Sequence, residues 1–444
     1  MLVYNHAAHD SRVLKTAASL RSAGADVRIF GVARARAGYA EGPGLVGDHL
    51  EVDRAPEFEL ARYAPRLLRL ARGLTRRPDP VPDPTVPAPP GEGAQRAPGF
   101  RVRRRPAPPG RIVEDLWLRA YRTLSLALYW WHADRAARAW GPDAVHACDG
   151  NTLVPAMSIA RVAGAAIVYD SHELWLHRNV RSDRPVAPCV EGAIEWAGVR
   201  RAAGVITVSP SIAAWLQRRY RLRREPTLVR NTPAAPKLGG SATSIEVGQQ
   251  ASLRERAGLG EDTTVVAYAG RITTARGLEE TLAALSLMDE GVHLVLLGYG
   301  EPDYLATLRA RIVALGLAPR VHVVEPVYPD HVPMVLATAD LSVVIVRPVC
   351  LSYRFSLPNK LFESVHAGVP VVAADLPDLA DLVRRFRIGE VVDVSTAEDL
   401  AASMTRVLAD PGPYRQAARA AAQEFTWAGE EVTLLALYRR VLQR

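Results

Sequence analysis

The chain has 444 residues, of which 48% are apolar and 23% charged, with a net charge of +8. That length and balance fit two globular domains, each with its own core, and exclude a disordered or fibrous chain. No apolar run approaches the roughly 18 residues of a membrane-spanning helix, and the N-terminus carries no secretory pattern, so a cytoplasmic protein is expected.

Met1–Tyr4 reads as the end of a short first strand, with Met1 already inside it. Asp10 or Ser11 can cap a helix to about Ala23, with Val13, Leu14, Ala17 and Leu20 on one face and Gly24 as its stop. Asp26–Val32 follows as a strand, Gly38–Gly47 as a loop and Leu60–Leu74 as an amphipathic helix. Residues 76–110, dominated by Pro, Arg and Gly, bury too little to offset their ordering entropy and read as a flexible insertion. A helix resumes at Val113 toward Trp140 and carries Trp117, Tyr121, Tyr129, Trp130 and Trp131. Its aromatic face suits a core. With the arginines before it, segment 101–131 also suits peripheral contact with an anionic membrane at the inner surface.

From Ala144 the pattern becomes regular, with strands at Ala144–Ala147, Ala166–Tyr169 and Val205–Val208 and helices between them. Glu225–Gln250 is mixed in composition and holds the crossing between domains. Alternation then restarts, with strands at Thr264–Ala269, His293–Leu297, Val321–Val324, Ser342–Val346, Val369–Ala373 and Glu390–Val394. Helices at Asp399–Leu408, Pro413–Glu424 and Trp427–Leu442 close the chain. Such alternation predicts two open α/β units with parallel strands, and ligands bind such sheets at the carboxyl ends of the strands.

Candidate chemistry therefore sits in the loops after strands. Arg271 and Arg276 follow Thr264–Ala269 through Gly270, and two guanidinium groups there can clamp a diphosphate. Gly298-Tyr299-Gly300 ends the next strand as a turn able to flank a nucleotide, without forming a dinucleotide fingerprint. Ser356–Gly368 is the most informative stretch. Ser356 can cap a helix with Pro358 in its first turn, and the Asn359 and Lys360 amides then face a phosphate. Glu363, one turn on, either holds a ribose or makes a surface ion pair with Lys360. His172, between Asp170 and Glu173, stands at a strand end, where it can organise a sugar. Cys148, Cys189 and Cys350 stand apart from any His cluster, so neither a disulfide framework nor a metal site is expected. Basic residues are mostly arginine, are dispersed among acids and form no nucleic-acid motif, so nucleic acid is not an expected partner.

In order and spacing, A-G-R-I-T-T-A-R-G-L, L-L-G-Y-G, S-L-P-N-K-L-F-E and A-G-V-P-V-V-A-A-D resemble the family-four retaining glycosyltransferases of GT-B fold. H-D-S-R-V-L-K-T-A-A-S-L, Y-D-S-H-E-L and V-S-P-S-I extend the resemblance to the first half. It implies an α/β protein of two Rossmann-like domains facing across a cleft, spanning 1–225 for the acceptor and 226–426 for the donor. The helix 427–444 would return to the first domain. It further implies transfer from a UDP- or GDP-sugar, with retention and without a bound metal or cofactor, to a glycan, lipid-linked or small-molecule acceptor. Cell-envelope polysaccharide or glycoconjugate synthesis is the expected setting. Arg271 then matches the diphosphate-binding arginine and Arg276 stands at a lysine position. Glu363 matches the ribose-binding second acid of an E-x7-E pattern, and His172 the catalytic-site histidine, while Gly270, Gly298, Tyr299, Ser356, Asn359 and Lys360 surround the donor. Asn5, His6, Asp170 and Glu173 are acceptor-side candidates. The first acid of the pattern falls at Phe355. That departure leaves open a non-catalytic partner of the same fold that binds a glycan or another transferase, and a nucleotide-sugar epimerase or phosphorylase on a similar two-domain scaffold also stays open.

Overall fold

The computed structural model describes residues 1–34, 38–47, 49–58, 109–179, 187–234 and 251–443. The expected helix Leu60–Leu74 and most of the 76–110 insertion lie outside the described residues, as do the arginines at 101–105.

The first half is one mixed sheet. Its strands are β1 (Arg28–Val32), β2 (Gly42–Val46), β3 (Leu50–Ala55), β4 (Ala144–Cys148), β5 (Ala166–Ser171), β6 (Gly204–Thr207) and β7 (Thr227–Leu228). Three lie in the order β1-β3-β2 and four in the order β4-β5-β6-β7. Leu2 joins the two sets by bridging Phe30 on one side and Ala147 on the other. The Met1 amino group is buried against the Arg28 carbonyl at 2.5 Å. Among the described strands only β2 runs antiparallel, against β3. The loop expected over Gly38–Gly47 is thus in part an edge strand. Gly42-Pro43-Gly44 lacks strand-forming side chains, and its pairing comes from β3.

Helices cover this sheet: α1 (Ser11–Ser22), α2 (Pro109–Trp140), α3 (Leu153–Ala163), α4 (Ala187–Arg201) and α5 (Pro210–Tyr220). Asp10 caps α1 by accepting from the Val13 amide, as its sequence suggests. The aromatic helix α2 begins four residues before Val113. Tyr129 is buried in the core, Trp130 donates to the Asn151 carbonyl and Tyr121 to the Phe58 carbonyl. Those three rings serve packing, while Leu124 and Trp131 stay exposed.

The second half holds β8 (Thr264–Ala269), β9 (Val292–Leu297), β10 (Val321–Val324), β11 (Leu341–Val344), β12 (Val371–Ala374) and β13 (Gly389–Val392). All run parallel, in the order β10-β9-β8-β11-β12-β13. Around them lie α6 (Leu253–Ala257), α7 (Leu278–Leu285), α8 (Pro302–Ala314), α9 (Val332–Leu336), α10 (Leu351–Arg354) and α11 (Asn359–His366). Then come α12 (Pro377–Phe386), α13 (Ala397–Ala409), α14 (Gly412–Ala422) and α15 (Trp427–Leu442).

Helix α15 leaves the second unit and packs on the first. Trp427, Leu434, Leu437 and Tyr438 share a core with Leu20, Val168 and Ile206. The strand ends of the two sheets face each other across the cleft that results. No described helix is long and apolar enough to cross a membrane.

Candidate functional site

Two adjoining cavities occupy the cleft. The wider, of about 1220 Å³, takes in Asn5, His6, Lys15, Tyr299, Tyr328 and Glu363. The inner, of about 320 Å³, takes in His172, Glu173, Arg276, Ser356, Lys360 and Glu363. Gly270, Arg271 and Asn359 line both and form their shared rim.

That rim depends on a close backbone approach between the ends of β8 and β9. A Cβ on Gly298 would stand 2.0 Å from the Gly270 carbonyl oxygen, and Gly298 has φ +157°. Only glycine fits there, which gives the turn a purpose the G-x-G pattern alone left open.

Helix α11 starts at the rim. Pro358, not Ser356, is its N-cap residue, and the Ser356 hydroxyl turns away to donate to the Tyr353 carbonyl at 2.9 Å. The expected serine cap is therefore absent, because the turn of α10 captures the hydroxyl first. The amides of Asn359 and Lys360 make no hydrogen bond with a described residue outside the helix, so this helix start suits an anion.

Lys360 is only 7% exposed, and its buried ammonium sits 3.7 Å above the centre of the Tyr268 ring. It has no hydrogen-bond partner among the described residues. Burial first, and then Arg276, drives its pKa well below the ordinary lysine value, although Glu363 pulls the other way. The surface ion pair between Lys360 and Glu363 is not formed. Burial pushes the Glu363 carboxyl up to about 7 against the opposing fields of Lys360 and Lys15.

Arg276 reaches the inner cavity and lies 4.7 Å over the Tyr353 ring. Arg271 is half exposed and ion-paired with Glu301, a partner the sequence did not suggest. Exposed pairs of this kind are weak, so an incoming anion can displace the carboxylate.

His172 faces this set from β5. Its backbone amide donates to Asp149 Oδ1 at 3.0 Å. Its ring lies 3.6 Å from Asp149 Oδ2 and 3.3 Å from Asp170 Oδ2. Its Nε2 is buried without hydrogen-bond geometry to any described group. Burial disfavours the imidazolium, but Asp149 and Asp170 outweigh it and hold the pKa well above the ordinary value. The two carboxylates thus favour the protonated ring, which suits donating a hydrogen bond or meeting negative charge.

Asp170 lines neither cavity. It is 1% exposed and forms a two-point pair with Arg12, at 2.9 Å and 2.7 Å. It cannot touch an acceptor, contrary to the expectation from its position beside His172. Burial raises its pKa, but Arg12 and His172 more than offset this and hold it well below the carboxylate range. Asn5 and His6 do line the wider cavity, with His6 stacked on Tyr39 at 4.2 Å. Glu173 lines the inner one, apart from them.

Asp149, Arg12 and His146 escaped the sequence reading. Asp149 holds φ at +59°, an uncommon conformation for a non-glycine residue that aims its carboxylate at His172. No sequence pattern marked it. Arg12 lay inside a quoted motif, but its partner is 158 residues away. Among the described residues no group of His, Cys, Asp and Glu is arranged to hold a metal ion.

Residues 249–425 match the family model described as glycosyl transferases group 1, and residues 66–232 match that of glycosyltransferase family 4. D-inositol 3-phosphate glycosyltransferase of Rhodococcus jostii is 31% identical over 217 residues, covering 45% of this chain and 46% of that protein. The chain thus spans about half the length of that relative. 2-Deoxystreptamine glucosyltransferase of Streptomyces kanamyceticus is 26% identical over 364 residues, covering 78% of this chain and 88% of that one. Among solved structures, sucrose-phosphate synthase of Thermosynechococcus elongatus superposes with a TM-score of 0.69 at 17% identity, covering 100% of this chain and 98% of that one. HepE of Anabaena in complex with UDP-glucose superposes at 0.65 and 17% identity, covering 99% and 98%. At such identity the structural likeness is one of fold.

Proposed function

We propose that this chain, which belongs to the family-four glycosyltransferases of GT-B fold, moves a sugar from a UDP- or GDP-sugar to a polyhydroxylated acceptor with retention at the anomeric carbon. One observation carries the reading. A single rim joins two facing cavities and gathers Arg271 and the free amides of α11 beside Glu363. A nucleoside fits the wider side with its ribose on Glu363, the diphosphate lies on the rim, and the sugar enters the inner side toward His172.

Transfer in this arrangement breaks the bond between the anomeric carbon and the diphosphate oxygen and forms one to the acceptor oxygen. The acceptor proton passes to the departing diphosphate. Arg271, Arg276 and the amides at Asn359 and Lys360 neutralise the charge that develops there. His172 holds the sugar in place, so the protein contributes placement and charge rather than a covalent nucleophile. No metal is part of the proposal.

Relatives named for an inositol phosphate and for 2-deoxystreptamine support a hydroxylated ring as acceptor. The His6–Tyr39 stack beside the wider cavity is a suitable platform for one. A role in envelope polysaccharide or glycoconjugate synthesis is part of the same proposal. Titration calorimetry with UDP and with GDP tests the reading: one of them binds, and binding of neither overturns it. With the donor in hand, Arg271→Ala lowers turnover, and near-normal turnover removes the clamp.

A further inference from the structure

The inner cavity is lined by two carboxylates, Glu363 and Glu173. They are not equivalent. Glu363 also lines the wider cavity, on the nucleoside side of the rim, whereas Glu173 lines the inner cavity alone. Glu173 comes from the first unit, just after β5, and faces Ser352, Tyr353 and Arg276 of the second.

The contact between the units at this point is specific. The Leu174 amide donates across the cleft to Ser352 Oγ at 3.2 Å, and that hydroxyl lies 3.5 Å from Glu173 Oε2. The Ser171 hydroxyl donates to the Glu173 carbonyl at 2.7 Å and fixes the turn. The other carboxylate oxygen of Glu173 has no hydrogen-bond partner among the described residues. Helix α10 is also fastened to the first unit. The Phe355 carbonyl accepts from Ser209 Oγ at 2.7 Å, and the Phe355 and Leu351 side chains pack against the first unit's core. Position 355 therefore offers the cavity no acid, and its side chain serves the joint between units.

Burial first, and then Asp149, pushes the Glu173 carboxyl up to about 7; a sugar ring presents hydroxyl donors, and a half-buried carboxyl with a free oxygen accepts from them, most strongly once ionised above that pH. We infer that Glu173 is the residue that grips the hydroxyls of the donor sugar, reaching it from the opposite domain to the one that holds the nucleotide. The inference rests on the donor reading above. It reassigns Glu173 from the acceptor side, where the sequence reading had set it with Asn5, His6 and Asp170. Its consequence is that the sugar bridges the cleft. The nucleoside diphosphate alone is gripped by Arg271, Glu363 and the start of α11 in the second unit, while the intact donor is also gripped by Glu173 of the first, so the glycosyl group itself favours the closed arrangement.

The test is a ratio measured within one protein. Wild type is screened by calorimetry against UDP- and GDP-linked glucose, N-acetylglucosamine and mannose, and the tightest of these is compared with its own nucleoside diphosphate. In Glu173→Gln, measured at pH 8 where the wild-type carboxyl is ionised, the Kd for the diphosphate stays within about twofold, while the Kd for the nucleotide sugar rises about tenfold, the loss of one charge-assisted hydrogen bond. KM for the donor rises with it, and kcat falls less. If the variant melts early, the ratio still holds, since both ligands meet the same folded protein below its midpoint. If it does not fold, Glu173→Asp is read on the same ratio. Equal loss for both ligands, or no loss for either, overturns the assignment. A collapse of kcat with unchanged donor affinity also overturns it and makes Glu173 a reacting group. If wild type binds no nucleoside diphosphate, the donor reading itself fails and this one falls with it.

Discussion

The Tyr438 hydroxyl on α15 lies 2.7 Å from His146 Nδ1, with the two rings parallel and both residues buried. His146 Nε2 in turn lies 3.3 Å from Asp170 Oδ2, the same oxygen that faces His172. The helix that returns from the second unit thus reaches the cleft histidine through two side chains. Sequence separation hides this relationship, since Tyr438 and His146 are 292 residues apart.

Tyr438→Phe keeps the ring and removes the hydroxyl. His146 then loses a partner in a dry environment, which costs about 1–3 kcal/mol. Urea unfolding of the full chain will show a lower midpoint with an unchanged slope. A midpoint equal to wild type would mean that the pair does not couple α15 to the first unit.

Arg12→Met leaves Asp170 buried without its main counter-ion, a change that costs about 3–5 kcal/mol near neutral pH. The pH dependence has a definite sign. The folded-state pKa of Asp170 is depressed well below 3.8, so its paired carboxylate stabilises the fold above that value and loses this effect as pH falls through the folded pKa. In the variant, Asp170 takes up a proton more easily on acidification. The gap in stability between wild type and Arg12→Met will therefore be wider near pH 7 than near pH 4 in paired denaturation curves. A gap independent of pH would assign the loss to packing alone.

Gly298→Ala forces a Cβ to within 2.0 Å of the Gly270 carbonyl. The strand ends must separate, and the rim that would receive a diphosphate opens with them. Loss of UDP or GDP binding in calorimetry is the expected result, with a destabilisation of about 3 kcal/mol or more in melting. Gly260→Ala is the control, since nothing lies within 4 Å of its added Cβ. A Gly298→Ala protein that binds like wild type would exclude this turn from the donor site.

The fold was legible where apolar runs are long and punctuated. Thr264–Ala269, Val321–Val324 and Trp427–Leu442 are bounded as their hydrophobic patterns indicate. Strand β2 was not, because Gly42-Pro43-Gly44 pairs only through the strand beside it. The second unit's side of the site was legible for a similar reason: Arg271 directly follows the end of β8, and Asn359 and Glu363 lie on one well-punctuated helix. Even so, the partner of Arg271 and the captured hydroxyl of Ser356 were not readable, since each depends on a neighbour brought in by folding. The first unit's contribution was the least visible. Arg12, His146 and Asp149 acquire roles only when α1, β4 and β5 meet, and Glu173 lines the inner cavity apart from Asn5 and His6.

Glu363 should make donor affinity depend on pH. Burial holds its carboxyl at about 7, so the ionised form that accepts ribose hydroxyls is a minor species near pH 6 and the major one near pH 8. Affinity for the nucleoside diphosphate rises across that interval, but the ligand's own terminal phosphate ionises there too. Dividing wild-type affinity by that of Glu363→Gln cancels the ligand's contribution. The ratio will climb by up to about tenfold from pH 6 to pH 8. Stability without ligand runs the opposite way. An acid whose folded pKa is raised binds more protons folded than unfolded, so it weakens the fold as pH rises from its ordinary value toward 7. Glu363→Gln will accordingly melt higher than wild type near pH 8 while binding the nucleotide less well. If the variant neither gains stability nor loses affinity at that pH, Glu363 is not the ribose acceptor.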